Sequence, residues 1–173
     1  MPETPTLPAW CRIDPDLAVT KVQVRDAPDA AERLAALLDL APPAPNRISS
    51  AGHRMLAAIA PGEWLLTQSG GDGVTDRSAA TFRADTALVV DISHGVVALR
   101  LEGPSATACL AAYTTLDLRE AAMPTGSAAR TRFGDIGVFI ARTGDASEYL
   151  LIADQSYAPC LLDLLARSDR NSR

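Results

Sequence analysis

Residues 89–112 read VVDISHGVVALRLEGPSATACLAA, and the changes of pattern along them decide the fold class. Val96 to Glu102 alternates, with Val97, Leu99 and Leu101 opposing Ala98, Arg100 and Glu102, which predicts a strand. Gly103-Pro104 breaks the alternation. Proline in the first turn gives up no helical hydrogen bond, so a helix is expected to open there. Its stripe of Ala106, Cys109, Leu110 and Tyr113 follows helical spacing. Upstream, Thr86 to Ile92 reads as another strand, closed by the polar run Asp91-Ile92-Ser93-His94.

The same alphabet of short strands and single helices continues in both directions. Downstream, strands are expected over Ser127–Phe133, Ile136–Ala141 and Glu148–Ala153. A last helix is expected over Ser156–Arg167, with Tyr157, Leu161, Leu164 and Leu165 inward. Upstream, Leu17–Arg25 alternates as a strand, and Asp29 with Glu32 forms a capping-box pair for a helix that Pro42-Pro43 stops near Leu40. His53–Ala60 and Glu63–Gln68 flank a Pro61-Gly62 turn. The run SGGDG (69–73) reads as a loop, followed by a weak helix from Thr75 to Ala84.

Residues 1–16 hold four prolines and are expected to form an extended arm, with residues 17–173 as one α+β domain of antiparallel sheets and packed helices. Trp10 is the arm's one large anchor, placed either to dock a partner or to fold back on the domain. GEWLLTQ (62–68) and SEYLLIA (147–153) echo each other, each after a strand and before a helix, and suggest an internal duplication.

Composition sets outer bounds. The 173 residues are 47% hydrophobic and 21% charged, as in a globular domain. Aromatics are only 5%, so the core must be largely aliphatic. A formal charge of -5 and a pI near 4.9 argue against a nucleic-acid backbone or anionic membrane as partner. No basic, apolar leader opens the sequence, and no run approaches the ~18 apolar residues of a membrane span. Cys11, Cys109 and Cys160 are widely spaced, which suits reduced thiols in a cytosol, with Cys109 and Cys160 expected on apolar helix faces.

The polar clusters are weaker than they first look. Asp91, Ser93 and His94 invite a nucleophilic-triad reading, but Asp91 and Ser93 would share one strand face while His94 points to the other. A strand-to-turn capping role fits better. His53 and His94 are the two histidines, and neither stands in a metal-ligand spacing. The GGDG loop lacks the endings of phosphate-binding loops. Arg130 and Arg132 share a strand face and could clamp an anion, with solvated charges as the plainer reading.

Taken in order, VVDISHGVVALRLEGPSATACLAA, LDL, PTGSAARTRF, DIGVFIARTG and EYLLIAD resemble the N-terminal folate-binding domain of glycine-cleavage T-proteins. With IAPGEWLL upstream, the chain is more specifically similar to the gamma subunits of heterotetrameric sarcosine oxidases, over about residues 10–168. The motif residues are Glu63, Trp64, Asp91, Ser93, His94 and Gly103. T-proteins are about twice as long and carry a carboxylate on a longer hairpin near Ile136; here that hairpin shrinks to Phe133-Gly134-Asp135, and Asp135 reads as a turn residue.

The resemblance implies a non-catalytic gamma-type subunit with no catalytic, cofactor or metal residues of its own. FAD, FMN, NAD and tetrahydrofolate would sit in partner subunits (alpha, beta and delta) of a cytoplasmic complex that demethylates sarcosine. Trp10 and Trp64 are expected at the partner interface, since interface energy concentrates in buried Trp, Tyr and Arg, and the acidic balance predicts that no nucleic acid and no membrane are engaged. A stand-alone folate-binding or one-carbon-transfer protein, and a subunit of an N-methylglutamate or dimethylglycine dehydrogenase, are the alternatives.

Overall fold

The computed structural model describes residues 6–25, 27–70, 74–145 and 147–171, with side chains to residue 168. It divides the chain into two compact units, Asp16–His94 and the pair of segments Met1–Pro15 with Gly95–Arg173. This differs from the expected arm and single domain. The reason lies in strand β1 (Cys11–Ile13), which pairs with β7 (Val96–Glu102) far along the chain. Three residues carry no periodicity of their own; tertiary pairing makes them a strand.

The unit of residues 16–94 contains β2 (Leu17–Val24), α1 (Ala30–Leu38), β3 (Ile48–Ala51), β4 (Arg54–Ala60), β5 (Glu63–Ser69), α2 (Val74–Thr81) and β6 (Ala87–Asp91). Its antiparallel sheet runs β3-β4-β5-β2-β6. Beyond β7 the other unit adds α3 (Pro104–Tyr113), β8 (Ala128–Phe133), β9 (Ile136–Gly144), β10 (Glu148–Asp154) and α4 (Ala158–Asn171). Its sheet runs β1-β7-β10-β9-β8. Both are the same design: strand, helix, three-strand meander, helix, and a fifth strand beside the first. In one unit the fifth strand follows α2; in the other the N-terminal segment supplies it.

The duplication holds at the level of individual hydrogen bonds. Trp64 and Tyr149 occupy matching places in β5 and β10, opposite Val22 and Leu101. Before each strand the chain turns through a positive φ, at Gly62 (72°) and Ser147 (59°). The carbonyl of each accepts an equivalent amide, from Val24 at 2.8 Å and from Gly103 at 3.1 Å. Ahead of each second strand (β3 and β8), Asn46 and Gly126 also take positive φ, and their amides bond Ala58 O and Arg142 O at 3.1 and 2.9 Å. The fifth strands end alike: the amides of Ile92 and Asp14 bond Val19 O and Ala98 O, both at 2.9 Å.

Each sheet packs one face on its helices. In the first unit Val22, Leu34, Leu38, Leu56, Trp64 and Leu66 form that core. In the second, Leu99, Leu101, Leu110, Phe133, Ile140, Tyr149 and Leu151 do so. The other faces of the central strands are apolar and buried too (Val19, Ala57 and Leu65; Ala98, Ala141 and Leu150), which is why β5 and β10 carry unbroken Leu-Leu pairs rather than strict alternation.

Gly62 and Ser147 also yield a contrast. A Cβ on Gly62 would stand 2.7 Å from the Val24 carbonyl oxygen, whereas Ser147 carries its side chain at the matching turn. Gly62→Ala is therefore expected to cost about 1–3 kcal/mol by urea unfolding, from positive-φ strain plus a backbone clash. Ser147→Gly should change stability by less than ~1 kcal/mol. Equal effects at the two sites would argue against the equivalence.

Several local expectations are corrected. Asp29 makes no side-chain capping bond to α1, and the helix ends at Asp39 in the left-handed region (φ 56°), before the prolines. Tyr157 lies in a 3-10 turn ahead of α4 and is exposed. Cys160 is exposed as well, because the buried stripe of α4 is Ala158, Leu161, Leu162, Leu165 and Ala166. Cys11 and Cys109 are buried in one core, and desolvation pushes the Cys11 thiol up to about 12, with a smaller contribution from Cys109.

Candidate functional site

The Asp91-Ile92-Ser93-His94 motif closes β6. The Asp91 carboxylate accepts both the Ser93 amide (2.9 Å) and the Ser93 hydroxyl (2.6 Å) through Oδ1. The Ser93 hydroxyl oxygen in turn accepts the amide of Val19 on β2 at 2.8 Å. Ser93 thus ties the end of β6 to β2 and turns the chain into a short 3-10 segment. His94 is exposed. A triad needs imidazole between hydroxyl and carboxylate; here the hydroxyl bonds the carboxylate directly.

The same device recurs without a histidine. At the end of β10 the Asp154 carboxylate accepts the Ser156 amide (2.8 Å) and hydroxyl (2.6 Å), again entering a 3-10 turn. Two Asp-x-Ser strand exits with one geometry identify a backbone-capping function. The hydroxyl and amide of Ser93 hold the Asp91 carboxyl below its ordinary range, with a smaller push from His94. A depressed carboxyl pKa stabilises the fold above the unfolded value, and that stabilisation is lost as pH falls through the lowered folded value.

The remaining motif residues have structural places. Glu63, at the start of β5, pairs with Lys21 Nζ at 3.5 Å and accepts Gln23 Nε2 at 3.4 Å. Trp64 is 9% exposed within the core of its own unit, so its indole is already used there. Gly103 precedes α3 at φ 86°, ψ -179°, a region essentially reserved for glycine. Trp10 is half-buried and packs against its own core, and its carbonyl accepts the Glu102 amide at 2.9 Å. Asp135 sits in the two-residue turn between β8 and β9, where its carbonyl accepts Arg132 Nη2 at 2.9 Å. Gly71, Asp72 and Gly73 of the GGDG loop lie outside the described residues.

One buried cation escaped the sequence reading. Arg142, on β9, is 6% exposed. Its Nη1 donates to Met123 O at 3.0 Å and, less closely, to Leu118 O at 3.4 Å, and its Nη2 pairs with Glu120 at 2.5 Å. It therefore anchors the irregular segment between α3 and β8. Among the described residues, no three His, Cys, Asp or Glu side chains are grouped as metal ligands, and no helix is long and apolar enough to cross a membrane.

Comparison with known proteins places this geometry. The profile of the sarcosine oxidase, gamma subunit family matches residues 24–168. A sarcosine oxidase subunit gamma from Arthrobacter sp. is 28% identical over 136 residues, spanning 76% of this chain and 67% of the relative. Among solved structures, the heterotetrameric sarcosine oxidase from Corynebacterium sp. U-96, in complex with pyrrole 2-carboxylate, contains a similar chain. It superimposes with a TM-score of 0.82 at 20% identity, over 91% of this chain and 82% of that one. The glycine cleavage system aminomethyltransferase T from Bartonella henselae shares the fold, with a TM-score of 0.65 at 18% identity. The match covers 90% of this chain and 44% of that one.

Proposed function

Since this chain belongs to the sarcosine oxidase gamma subunit family, we propose that it serves as the gamma-type, non-catalytic subunit of a heterotetrameric, flavin-dependent sarcosine oxidase. The family match across residues 24–168 carries this reading. In it, alpha, beta and delta subunits hold FAD, FMN, NAD and tetrahydrofolate. They oxidise sarcosine to glycine with transfer of the one-carbon unit to folate and formation of hydrogen peroxide, in the cytoplasm. The chain supplies a preformed, duplicated scaffold. Its Asp-x-Ser motif supports the reading because the motif's polar groups are spent on strand ends.

The fold it shares with an aminomethyltransferase makes folate binding by the chain alone the second reading. Titration of the purified chain with a reduced folate and with flavins separates the two. No saturable binding is expected; stoichiometric flavin, or folate binding at micromolar concentration, would overturn the subunit reading.

A mutational test addresses the motif itself. Asp91→Ala and His94→Ala should leave turnover of the assembled complex within a few-fold, while Asp91→Ala lowers stability by ~0.5–2 kcal/mol through loss of the capping bonds. Asp91→Asn should flatten the loss of stability on acidification. Removing a group used in proton transfer typically slows a reaction ~10²-fold or more. A drop of that size with normal assembly and melting would show that the motif is chemical.

A further inference from the structure

Helices α2 and α4 hold matching places after the three-strand meander of each unit, yet different forces fasten them. Helix α4 buries Ala158, Leu161, Leu162 and Leu165 in a core that it shares with Leu99 of β7. Of the eight residues of α2, VTDRSAAT, only Val74 and Ser78 are buried. The duplicated register puts Thr20 where β7 has Leu99: Thr20 lies opposite Leu66 on β5, and Leu99 lies opposite Leu151 on β10. A leucine in one unit is thus a hydroxyl in the other. Thr20, 1% exposed, meets α2 through its Oγ1, 2.6 Å from Thr75 Oγ1.

The sequence of α2 does little to hold the helix by itself. Eight residues are too few for a stable isolated helix, and β-branched Val74, Thr75 and Thr81 lower its propensity. The hydroxyls of Ser78 and Thr81 donate back to Val74 O at 2.7 Å and Arg77 O at 2.8 Å, a pattern that slightly weakens helices. Further fastening comes from α1. Arg33 donates from Nη2 to Thr81 O, and its guanidinium lies 4.5 Å from the centre of the Phe82 ring, just beyond the helix. That contact is exposed, so water competes for it. Elements held by little buried apolar area and by exposed polar bonds open locally, well below the free energy of global unfolding.

We propose that α2 is a lid, latched by Arg33, that lifts as a unit from β2 and β6 while its sheet stays folded. Lifting it uncovers Thr20 and the apolar side chains that share a core with Val74, Val22 and Val89 among them. Native-state hydrogen exchange on the full chain, across low urea concentrations, tests this. The amides of residues 78–81 should exchange together, at least ~100-fold faster than those of residues 162–167 in α4 and with little dependence on urea. Arg33→Ala should speed exchange in α2 a further ~5-fold and leave α4 unchanged, because the latch and its ring contact are lost locally. Ser78→Cys gives an independent readout, since Ser78 is 0% exposed in the closed state. Its thiol should react with an aromatic disulfide reagent at least ~30-fold faster than buried Cys109, whose exposure requires its own core to open. Protection that falls off gradually from the ends of α2 is fraying and overturns the lid. So does protection of α2 equal to that of α4, or a Ser78→Cys thiol no faster than Cys109. An Arg33→Ala effect spread evenly over α1, α2 and the sheet overturns the latch. If Arg33→Ala does not fold, wild-type exchange and the Ser78→Cys thiol decide.

Discussion

Leu151→Ala is expected to destabilise the chain by about 2–5 kcal/mol, the range for removing a fully buried leucine from a well-packed core. Leu151 is 0% exposed on β10, the middle strand of its sheet, between Leu99 on β7 and Ile140 on β9. It cannot be replaced by small movements of one neighbour, because strands constrain it on both sides. For a chain of this size the melting temperature should fall by roughly 5–15 °C. Leu66, the matching residue of β5 and also 0% exposed, should cost a similar amount when changed to alanine, because the duplicated register puts it in the corresponding place opposite Leu56 and Thr20. Urea unfolding monitored by circular dichroism measures both. A loss below ~1 kcal/mol at either position would mean that the sheet is not packed as described.

Arg142→Ala is expected to cost about 2–4 kcal/mol. The guanidinium serves the carbonyls of Leu118 and Met123 in a buried setting, and a buried acceptor left without a donor costs ~1–3 kcal/mol. The aliphatic stem is buried as well and its packing is lost with the charge. Glu120, the ionic partner, has a side chain 63% exposed, so Glu120→Ala should cost less than ~1 kcal/mol. The contrast separates carbonyl anchoring from ion pairing. Limited proteolysis reports it directly: cleavage within residues 114–127 should accelerate in Arg142→Ala and hardly change in Glu120→Ala. Equal effects of the two substitutions would assign the anchoring to the ion pair instead.

Legibility in the sequence followed the locality of the forces. Strand β7 and helix α3 were predictable nearly residue by residue, because alternation, then Gly103-Pro104, then helical spacing act within a few positions. Strands β1 and β3 were not: CRI is too short to show a period, and ISSA puts hydroxyls where an apolar residue would signal burial. Strand β1 forms because a distant neighbour pairs with it, and β3 because β4 folds back on it across the two-residue turn at Gly52-His53. The duplication left only the GEWLLTQ and SEYLLIA echo in the residues, yet it is plain in the hydrogen-bond register, since backbone pairing does not require identical side chains.

The motif residues show the same division. An Asp-x-Ser bond spans two positions, so the capping role of Asp91 and Ser93 could be read in advance. Arg142 could not, because its acceptors lie on a loop some twenty positions away and a lone arginine late in a strand reads as solvated. Trp64 looked like an anchor for a partner because tryptophan is common at interfaces, whereas here it fills its own unit's core.

Native mass spectrometry of the complex formed on co-expression with the large sarcosine oxidase subunits tests the central claim most directly. The gamma-subunit reading predicts a single stable species of four different chains with one copy of this one, and loss of that species when this chain is omitted. A fully active oxidase that assembles without it, while this chain remains free in solution, would contradict the account.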